Sequence, residues 1–224
     1  MNGITASVYF GIFLSVFAYK AGMMINKKFN NVLTNPLFLS FLIVAAVLKV
    51  FRIPAENFAV GGDVLQLLIM PATVCLALPI YNNFETVKKN LVPIIAGTAA
   101  GSLASVVTVV LLCRLFGLDA EVISSLLPRS VTMPIALDLC RQKEGVIVLT
   151  TAAVMISGVF GAMVSPFFRK IFKLSPVETG LAIGTCSHVA GTAKAVELGE
   201  TEGALSGIAI GFAGVFTVLW VLLV

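Results

Sequence analysis

Six long apolar segments run through this sequence, and they constrain its fold more than any other feature. They cover residues 4–24, 36–53, 63–81, 91–116, 146–168 and 203–224. A helix that spans the hydrocarbon core needs about 20 mostly apolar residues. Only 12% of the 224 residues are charged, whereas a soluble domain carries about 25%, so the chain cannot cover itself with a water-soluble surface. The sequence predicts an all-α polytopic membrane protein with about six transmembrane helices.

The positive charges indicate an orientation in the membrane. No Lys or Arg precedes the first uninterrupted apolar run, residues 8–18, and Lys20, Lys27 and Lys28 follow it. Because cytoplasmic loops carry an excess of Lys and Arg, the N-terminus is predicted outside the cell, and six crossings place the C-terminus outside as well. The net charge of +4 lies in short loops, so it gives no reason to expect a nucleic-acid partner.

The chain carries no linker or low-complexity tract that would divide it. We therefore expect a single integral membrane domain over residues 1–224, with scaffold-like helices in 1–81 and a core in 91–224. The four cysteines are scattered through apolar stretches without paired spacing, which favours buried thiols over a disulfide or metal framework.

Two polar segments, residues 119–143 and 175–200, interrupt the apolar pattern and resemble each other. The same spacing separates Ser130 from Ser187 and Ala136 from Ala193. Paired, Gly- or Pro-interrupted segments in corresponding positions are the best sequence indication of a transporter's binding site. The sequence therefore predicts that the functional site lies between these two copies.

Each copy could cross the membrane as a broken helix or return to the same side as a re-entrant hairpin. Two hairpins put more Lys and Arg residues on the cytoplasmic side than two crossings do, so charge favours hairpins. Hairpins would enter from opposite faces and form an inverted repeat with an elevator-like transporter architecture.

In the first copy, Pro128 and Pro134 remove two amide donors and disfavour helical geometry in the residues before them. The helix is predicted to break around residues 129–133, with Ser130 or Thr132 as N-cap of the second half-helix. In the second copy, Gly184 and Gly191 bracket the predicted break, and a new half-helix is expected near residues 190–192.

Helix N-termini offer free amide N–H groups and about half a positive charge, which suits an anion. The two breaks therefore predict a pocket for a small carboxylate, although each hydroxyl could instead satisfy backbone or join helices. The sole histidine could relay protons or act as a neutral structural ring. The predicted substrate-binding residues are the polar and basic ones of both copies: Arg129, Ser130, Thr132, Ser187, His188, Thr192 and Lys194.

The two basic residues of this set would be costly at membrane depth unless they face a cavity or an acidic partner. Asp138 and Glu197, in the matching half-helices, are the expected partners of Arg129 and Lys194. Lys194 could alternatively lie in a solvated mouth.

A third interrupted stretch lies within the segment 63–81. Pro71 and Pro79 flank Thr73 there, and two prolines in one span predict a further broken element beside the site, or else a plain kinked scaffold helix. Enzyme signatures are missing: one histidine cannot build a multi-histidine metal site, and no Gly-x-Ser-x-Gly elbow occurs. No catalytic or metal-binding residues are predicted.

The sequence resembles the LrgB/CidB family of bacterial inner-membrane proteins. The resemblance rests on residues 71–81, 127–136 and 184–194, followed by Glu202-Gly203-Ala204, and extends over nearly the whole chain. The sequence is also similar to the LrgB-like half of the plastid glycolate/glycerate translocator. The resemblance implies a plasma-membrane protein with a smaller LrgA/CidA-type membrane partner.

The main functional hypothesis is secondary transport or export of a small organic monocarboxylate of the pyruvate, lactate or glycolate type. The alternative, from the names of family members, is an antiholin-like protein that modulates holin assembly, murein hydrolase export and cell lysis without a transported substrate. We expect a homodimer and no cofactor. A proton or Na⁺ could be coupled to transport, and the sequence does not distinguish between them.

Overall fold

A computed structural model describes residues 5–29, 34–75 and 77–224, and the side chains of all of these except Met70 and Thr73. Helices and irregular turns make up this part of the chain, and no strand occurs in it. The predicted all-α class is therefore confirmed. The chain divides into two compact units, Met1–Cys75 and Leu76–Val224.

The first unit is built around its N-terminal helix. Its described helices are α1 (Val8–Phe29), α2 (Pro36–Val50), α3 (Ala55–Leu67) and α4 (Ile69–Cys75). Helix α1 packs against both α2 and α3. A Cβ added to Gly11 would lie 2.7 Å from the Cα of Gly61, so α1 and α3 cross with their backbones in contact, as small residues allow in membrane helices.

The second unit contains the segments that carry the predicted site. Its helices are α5 (Ala77–Asn82), α6 (Phe84–Lys89), α7 (Leu91–Leu115), α8 (Ala120–Leu126), α9 (Met133–Gln142), α10 (Ile147–Phe172), α11 (Pro176–Leu198) and α12 (Glu200–Leu223). Two apolar clusters join α7 to α12: one includes Ile94 and Leu205, and the other includes Val109 and Val221. The two helices therefore run side by side in the same direction.

Four helices of the described chain, α1, α7, α10 and α12, are long and apolar enough to cross a membrane, and α2 is a shorter apolar helix. Large apolar side chains point away from the protein, such as Val92 and Val148 at 77% exposure each. Hydrocarbon tails would cover them without the cost that water imposes. The membrane class expected from the sequence is supported.

The stretch 63–81 is interrupted, in agreement with the predicted broken element, since α3, α4 and α5 divide it and one continuous span does not form. Pro71 and Pro79 are each the third residue of a short helix. A proline is tolerated in the first turn of a helix, where its missing amide would have no intrahelical acceptor. Leu76, between α4 and α5, and the Thr73 side chain lie outside the described residues.

Candidate functional site

The first polar segment breaks between α8 and α9. The chain turns over residues 127–132, where the amide of Val131 donates to the Pro128 carbonyl at 3.3 Å. Helix α9 then begins at Met133, with Thr132 as N-cap residue and Pro134 in the first turn. The break and the start of the second half-helix lie where the prolines predicted them. The Thr132 hydroxyl makes no capping hydrogen bond.

This segment returns to its starting point. Ser125, near the end of α8, accepts a hydrogen bond on Oγ from the Val146 amide at 2.7 Å. Its carbonyl accepts another from the Thr150 hydroxyl at 2.8 Å. A straight helix would put residues 125 and 146 about 30 Å apart. The segment therefore doubles back, and residues 120–142 are called the first hairpin below, with residues 127–132 as its tip.

The second polar segment breaks at His188, which has φ 41° and ψ −143° inside α11. The break lies between Gly184 and Gly191, as predicted, but both glycines are themselves helical and do not form the break. They serve close packing instead. A Cβ on Gly184 would overlap the Ser206 carbonyl oxygen, and one on Gly191 would lie 2.5 Å from the Cβ of Ser187.

The two halves of α11 lie against the same end of α12. A Cβ on Gly180 would lie 2.8 Å from the Cβ of Leu205, and one on Gly203 would lie 2.9 Å from the Val196 side chain. A straight helix would separate residues 180 and 196 by about 24 Å. Residues 176–198 are therefore called the second hairpin, with residues 185–191 as its tip.

Both tips reach the middle of α7 within about one helical turn of each other. The Ser105 hydroxyl donates to the Ser130 hydroxyl at 3.2 Å. A Cβ on Gly101 would lie 2.8 Å from the Thr185 side chain. Ser130 and Thr185 thus approach neighbouring turns of one helix.

The remainder of each hairpin extends toward a different end of α7. Leu127 packs with Val109 and Cys113, toward the C-terminal end. Leu181 lies against Gly97, toward the N-terminal end. The two tips therefore meet after approaching from opposite ends of the helix.

A cavity of about 380 Å³ lies between α10 and the first half of the second hairpin. Arg129 reaches it from the first tip, and Cys186 and Ser187 line it from the second. The Arg129 Nε is buried and has no hydrogen-bond partner among the described residues. The cavity therefore combines one cationic side chain with hydroxyl groups in largely apolar surroundings. Its complete lining is Arg129, Ser157, Phe160, Gly161, Val164, Ser165, Phe168, Leu174, Thr179, Ala182, Ile183, Cys186 and Ser187.

Of the seven predicted substrate-binding residues, Arg129 and Ser187 line this cavity, and the others pack elsewhere. Ser130 contacts α7, as described above. The Thr192 hydroxyl is buried, donates to the His188 carbonyl at 2.9 Å and lies 2.7 Å from the Ser206 hydroxyl. His188 Nε2 donates to the Val154 carbonyl at 3.0 Å.

One of the two predicted ion pairs forms. The Lys194 ammonium lies 2.8 Å from the Glu197 carboxylate, as expected. Asp138 instead pairs with Arg141 at 3.3 Å on an exposed surface, which corrects its expected pairing with Arg129. Arg141 is three residues from Asp138 on the same helix and reaches it first.

Sequence reasoning missed the polar residues that α10 contributes to the cavity. Ser157, Gly161 and Ser165 recur every four residues and so share one helix face, and all three line the cavity. This spacing could have indicated a polar helix face, but it lies inside a segment that the sequence predicts to be an uninterrupted transmembrane helix. No group of His, Cys, Asp and Glu side chains suited to a metal ion occurs in the described part of the chain.

Comparison with known proteins gives a consistent result along the sequence. The model of the LrgB-like family matches residues 15–224. The antiholin-like protein LrgB of Bacillus subtilis (strain 168) is 36% identical over 217 residues, which cover 96% of this chain and 94% of that protein. Proteins of the same name from Bacillus mycoides (strain KBAB4) and Bacillus cereus (strain B4264) are 34% identical over 217 residues, with the same coverage. No solved structure gives a significant match.

Proposed function

Because this chain belongs to the LrgB-like family, we propose that it acts as an antiholin-like protein of the bacterial plasma membrane. In this function it restrains the assembly of a holin-type membrane partner, and through it murein hydrolase export and cell lysis. The observation that carries the proposal is the similarity to proteins named antiholin-like over 94% of their length. The apolar outer surface of its helices suits assembly within the bilayer.

The test is co-expression with a small LrgA/CidA-type membrane partner in bacterial cells. We expect the chain to delay lysis and to lower extracellular murein hydrolase activity relative to cells that express the partner alone. Gly211→Ala serves as the control variant, because a Cβ there meets nothing within 4 Å. Unchanged lysis and hydrolase release at equal expression would contradict the antiholin-like function.

A second candidate function is transport of a small monocarboxylate, and the state of Arg129 favours it. The Arg129 side chain is half-buried, and its Nε is a buried donor without a partner among the described residues, an arrangement that costs free energy unless a ligand supplies an acceptor. A carboxylate can accept two parallel hydrogen bonds from a guanidinium. One cation in a cavity of about 380 Å³ suits a small, singly charged acid of the pyruvate, lactate or glycolate type.

Two hairpins that approach from opposite ends of α7 would give such a solute a path across the membrane. Tips that meet at mid-membrane from opposite faces allow a site to be exposed to each side in turn. We propose that the two hairpins form an inverted repeat with elevator-like movement, that a second copy of the chain provides a fixed scaffold, and that a proton or Na⁺ couples to the substrate.

Thermal stabilisation of the purified protein by short carboxylates tests this site. A ligand at 100 times its Kd stabilises the native state by about 2.7 kcal/mol, so the unfolding temperature should rise with pyruvate, lactate or glycolate. Arg129→Gln should remove the rise. Lys194→Gln is the matched control, because Lys194 already pairs with Glu197. A shift that survives in Arg129→Gln, or none with any acid, would rule out this carboxylate site.

A further inference from the structure

We infer, on the basis of the proposed carboxylate site, that the tip of the second hairpin is a gate seated on α10, which closes one end of the cavity and opens by leaving its seat. Ser187 lines the cavity, and the next residue, His188, contacts Val154, which lies on α10 on the N-terminal side of the cavity-lining residues. Beyond that contact, Val131, Ala136 and Val154 form a buried apolar cluster. Movement of solute past Ser187 therefore requires displacement of the tip.

Two glycines of α10 form the seat. A Cβ on Gly158 would lie 2.6 Å from the His188 Cε1, and one on Gly161 would lie 2.6 Å from the Ser187 Cβ and overlap its hydroxyl. Any side chain larger than hydrogen at either position would hold the tip away from the helix. The seated position thus depends on the absence of two methyl groups.

Among the described residues, one side-chain hydrogen bond joins the tip to this seat. His188 Nε2 donates to the Val154 carbonyl at 3.0 Å, while the His188 backbone has φ 41°. Non-glycine residues rarely adopt this left-handed region, and such strain persists only where neighbouring contacts hold it. Loss of the Val154 contact would let the backbone relax away from the seat.

The remainder of the same hairpin packs on α12, and α12 is itself joined to α10 by the Arg169–Glu202 ion pair at 2.9 Å. Gly184 packs on the Ser206 carbonyl, and Thr192 contacts the Ser206 hydroxyl. The part between Gly184 and Thr192 is therefore the part free to move.

The first tip lacks these features. Pro128 is fully buried, and Leu127 and Val131 belong to two different apolar clusters. Prolines fix φ and restrict the residue before them. The first tip is thus the rigid side of the closure and the second the moving side.

The test uses Cys186, an exposed native thiol that lines the cavity, as the only cysteine in a chain with Cys75, Cys113 and Cys140 replaced by Ala. A membrane-impermeant maleimide is applied to each face of oriented membrane vesicles. With the tip seated, Cys186 should react only from the face at the C-terminal end of α10. Gly161→Ala should raise its reaction rate from the opposite face by about tenfold, a modest population shift.

His188→Ala is the second variant, because it removes the bond to Val154 and keeps the strained positive φ that favours departure of the tip from its seat. It should open the same face, and Gly211→Ala should leave labelling unchanged. Thermal unfolding in detergent identifies any variant that fails to fold. Equal labelling of the parent from both faces, or folded His188→Ala and Gly161→Ala with the parent's pattern, would overturn the gate. Because labelling requires no carboxylate, failure of the carboxylate site is detected separately by the thermal-shift assay.

Discussion

At Gly184, α11 and α12 come into backbone contact because no side chain stands between them. A Cβ there would overlap the Ser206 carbonyl oxygen and lie 2.8 Å from the Ala209 Cβ. The opposing atoms belong to a helix backbone and to a short side chain, neither of which can rotate away. The glycine therefore sets the distance between the second hairpin and the helix that supports it.

Replacement of Gly184 by Ala should lower the free energy of unfolding by about 1–3 kcal/mol, the usual cost of overpacking. Gly211→Ala, with nothing within 4 Å of the added Cβ, should be neutral or stabilise by up to about 1 kcal/mol, since Gly is the poorer helix former. Denaturation in detergent, followed by circular dichroism, measures both. Equal stability of the two variants would mean that this contact is less tight than described.

Arg129 shows how one residue can connect composition with function. A buried N–H donor that lacks an acceptor costs about 1–3 kcal/mol, and more where it belongs to a charged group. Its Nε nevertheless lies buried and unpartnered within the described residues. The same feature that makes Arg129 a poor structural residue makes it a good anion ligand.

Among the elements, the first hairpin has its two ends joined by hydrogen bonds of Ser125. Ser125 is fully buried, donates to the Glu121 carbonyl at 2.6 Å, and accepts from the Val146 amide at 2.7 Å. Val146 is the N-cap residue of α10. The hydroxyl thus joins the end of the hairpin's first half to the start of the next long helix.

Ser125→Ala should destabilise the fold by about 1 kcal/mol, the net contribution of a typical hydrogen bond, because the half-buried bond from the Val146 amide is lost. Ser40→Ala is a suitable comparison, because its hydroxyl donates to the Leu37 carbonyl within its own helix and should cost much less. Hydrogen exchange at Val146, measured by mass spectrometry, should rise in the first variant only. Retained protection there would show that the hairpin closes without this bond.

For the whole molecule, the direction of α10 is the decisive feature of the second unit. Its C-terminal end meets the N-terminal end of α12 through the Arg169–Glu202 pair at 2.9 Å. Helices α7 and α12 run in one direction, as their shared clusters require, and α10 runs in the other. A polar segment that crossed the membrane between α10 and α12 would put Arg169 and Glu202 on opposite faces.

Membrane sidedness follows from this arrangement. Single cysteines in place of Lys143 and Lys170, in a chain without native cysteines, lie near opposite ends of the 26-residue α10, about 39 Å long. They should react with an impermeant reagent from opposite faces. Position 170 should react from the cytoplasm, because Arg169, Lys170 and Lys173 cluster at that end of α10 and cytoplasmic loops carry an excess of Lys and Arg. Labelling of position 170 from outside would contradict the predicted orientation.

Much of the fold was accessible from the sequence, because bilayer thickness fixes helix length and prolines fix backbone geometry. The start of α9 near Pro134 and the spans of α7, α10 and α12 were predicted within a few residues. The site was less accessible. The similarity of the two polar segments does not show which of their side chains face a cavity. Ser130 and Thr192 bond to neighbouring helices, whereas Ser157 and Ser165, in a segment predicted to be a plain transmembrane helix, line the cavity.

By itself, the sequence determined that this chain forms helices in a membrane, belongs to the LrgB-like family and carries two related polar breaks. Those properties follow from local chemistry: apolar runs, missing amide donors and identical spacing. Only the tertiary structure decided that the second break falls at His188, within the stretch between Gly184 and Gly191, and that Arg129 faces a cavity rather than Asp138. Both outcomes depend on how closely helices that are distant in the sequence approach one another. That packing leaves no room for a methyl group at the glycines and leaves the Arg129 Nε without a partner among the described residues.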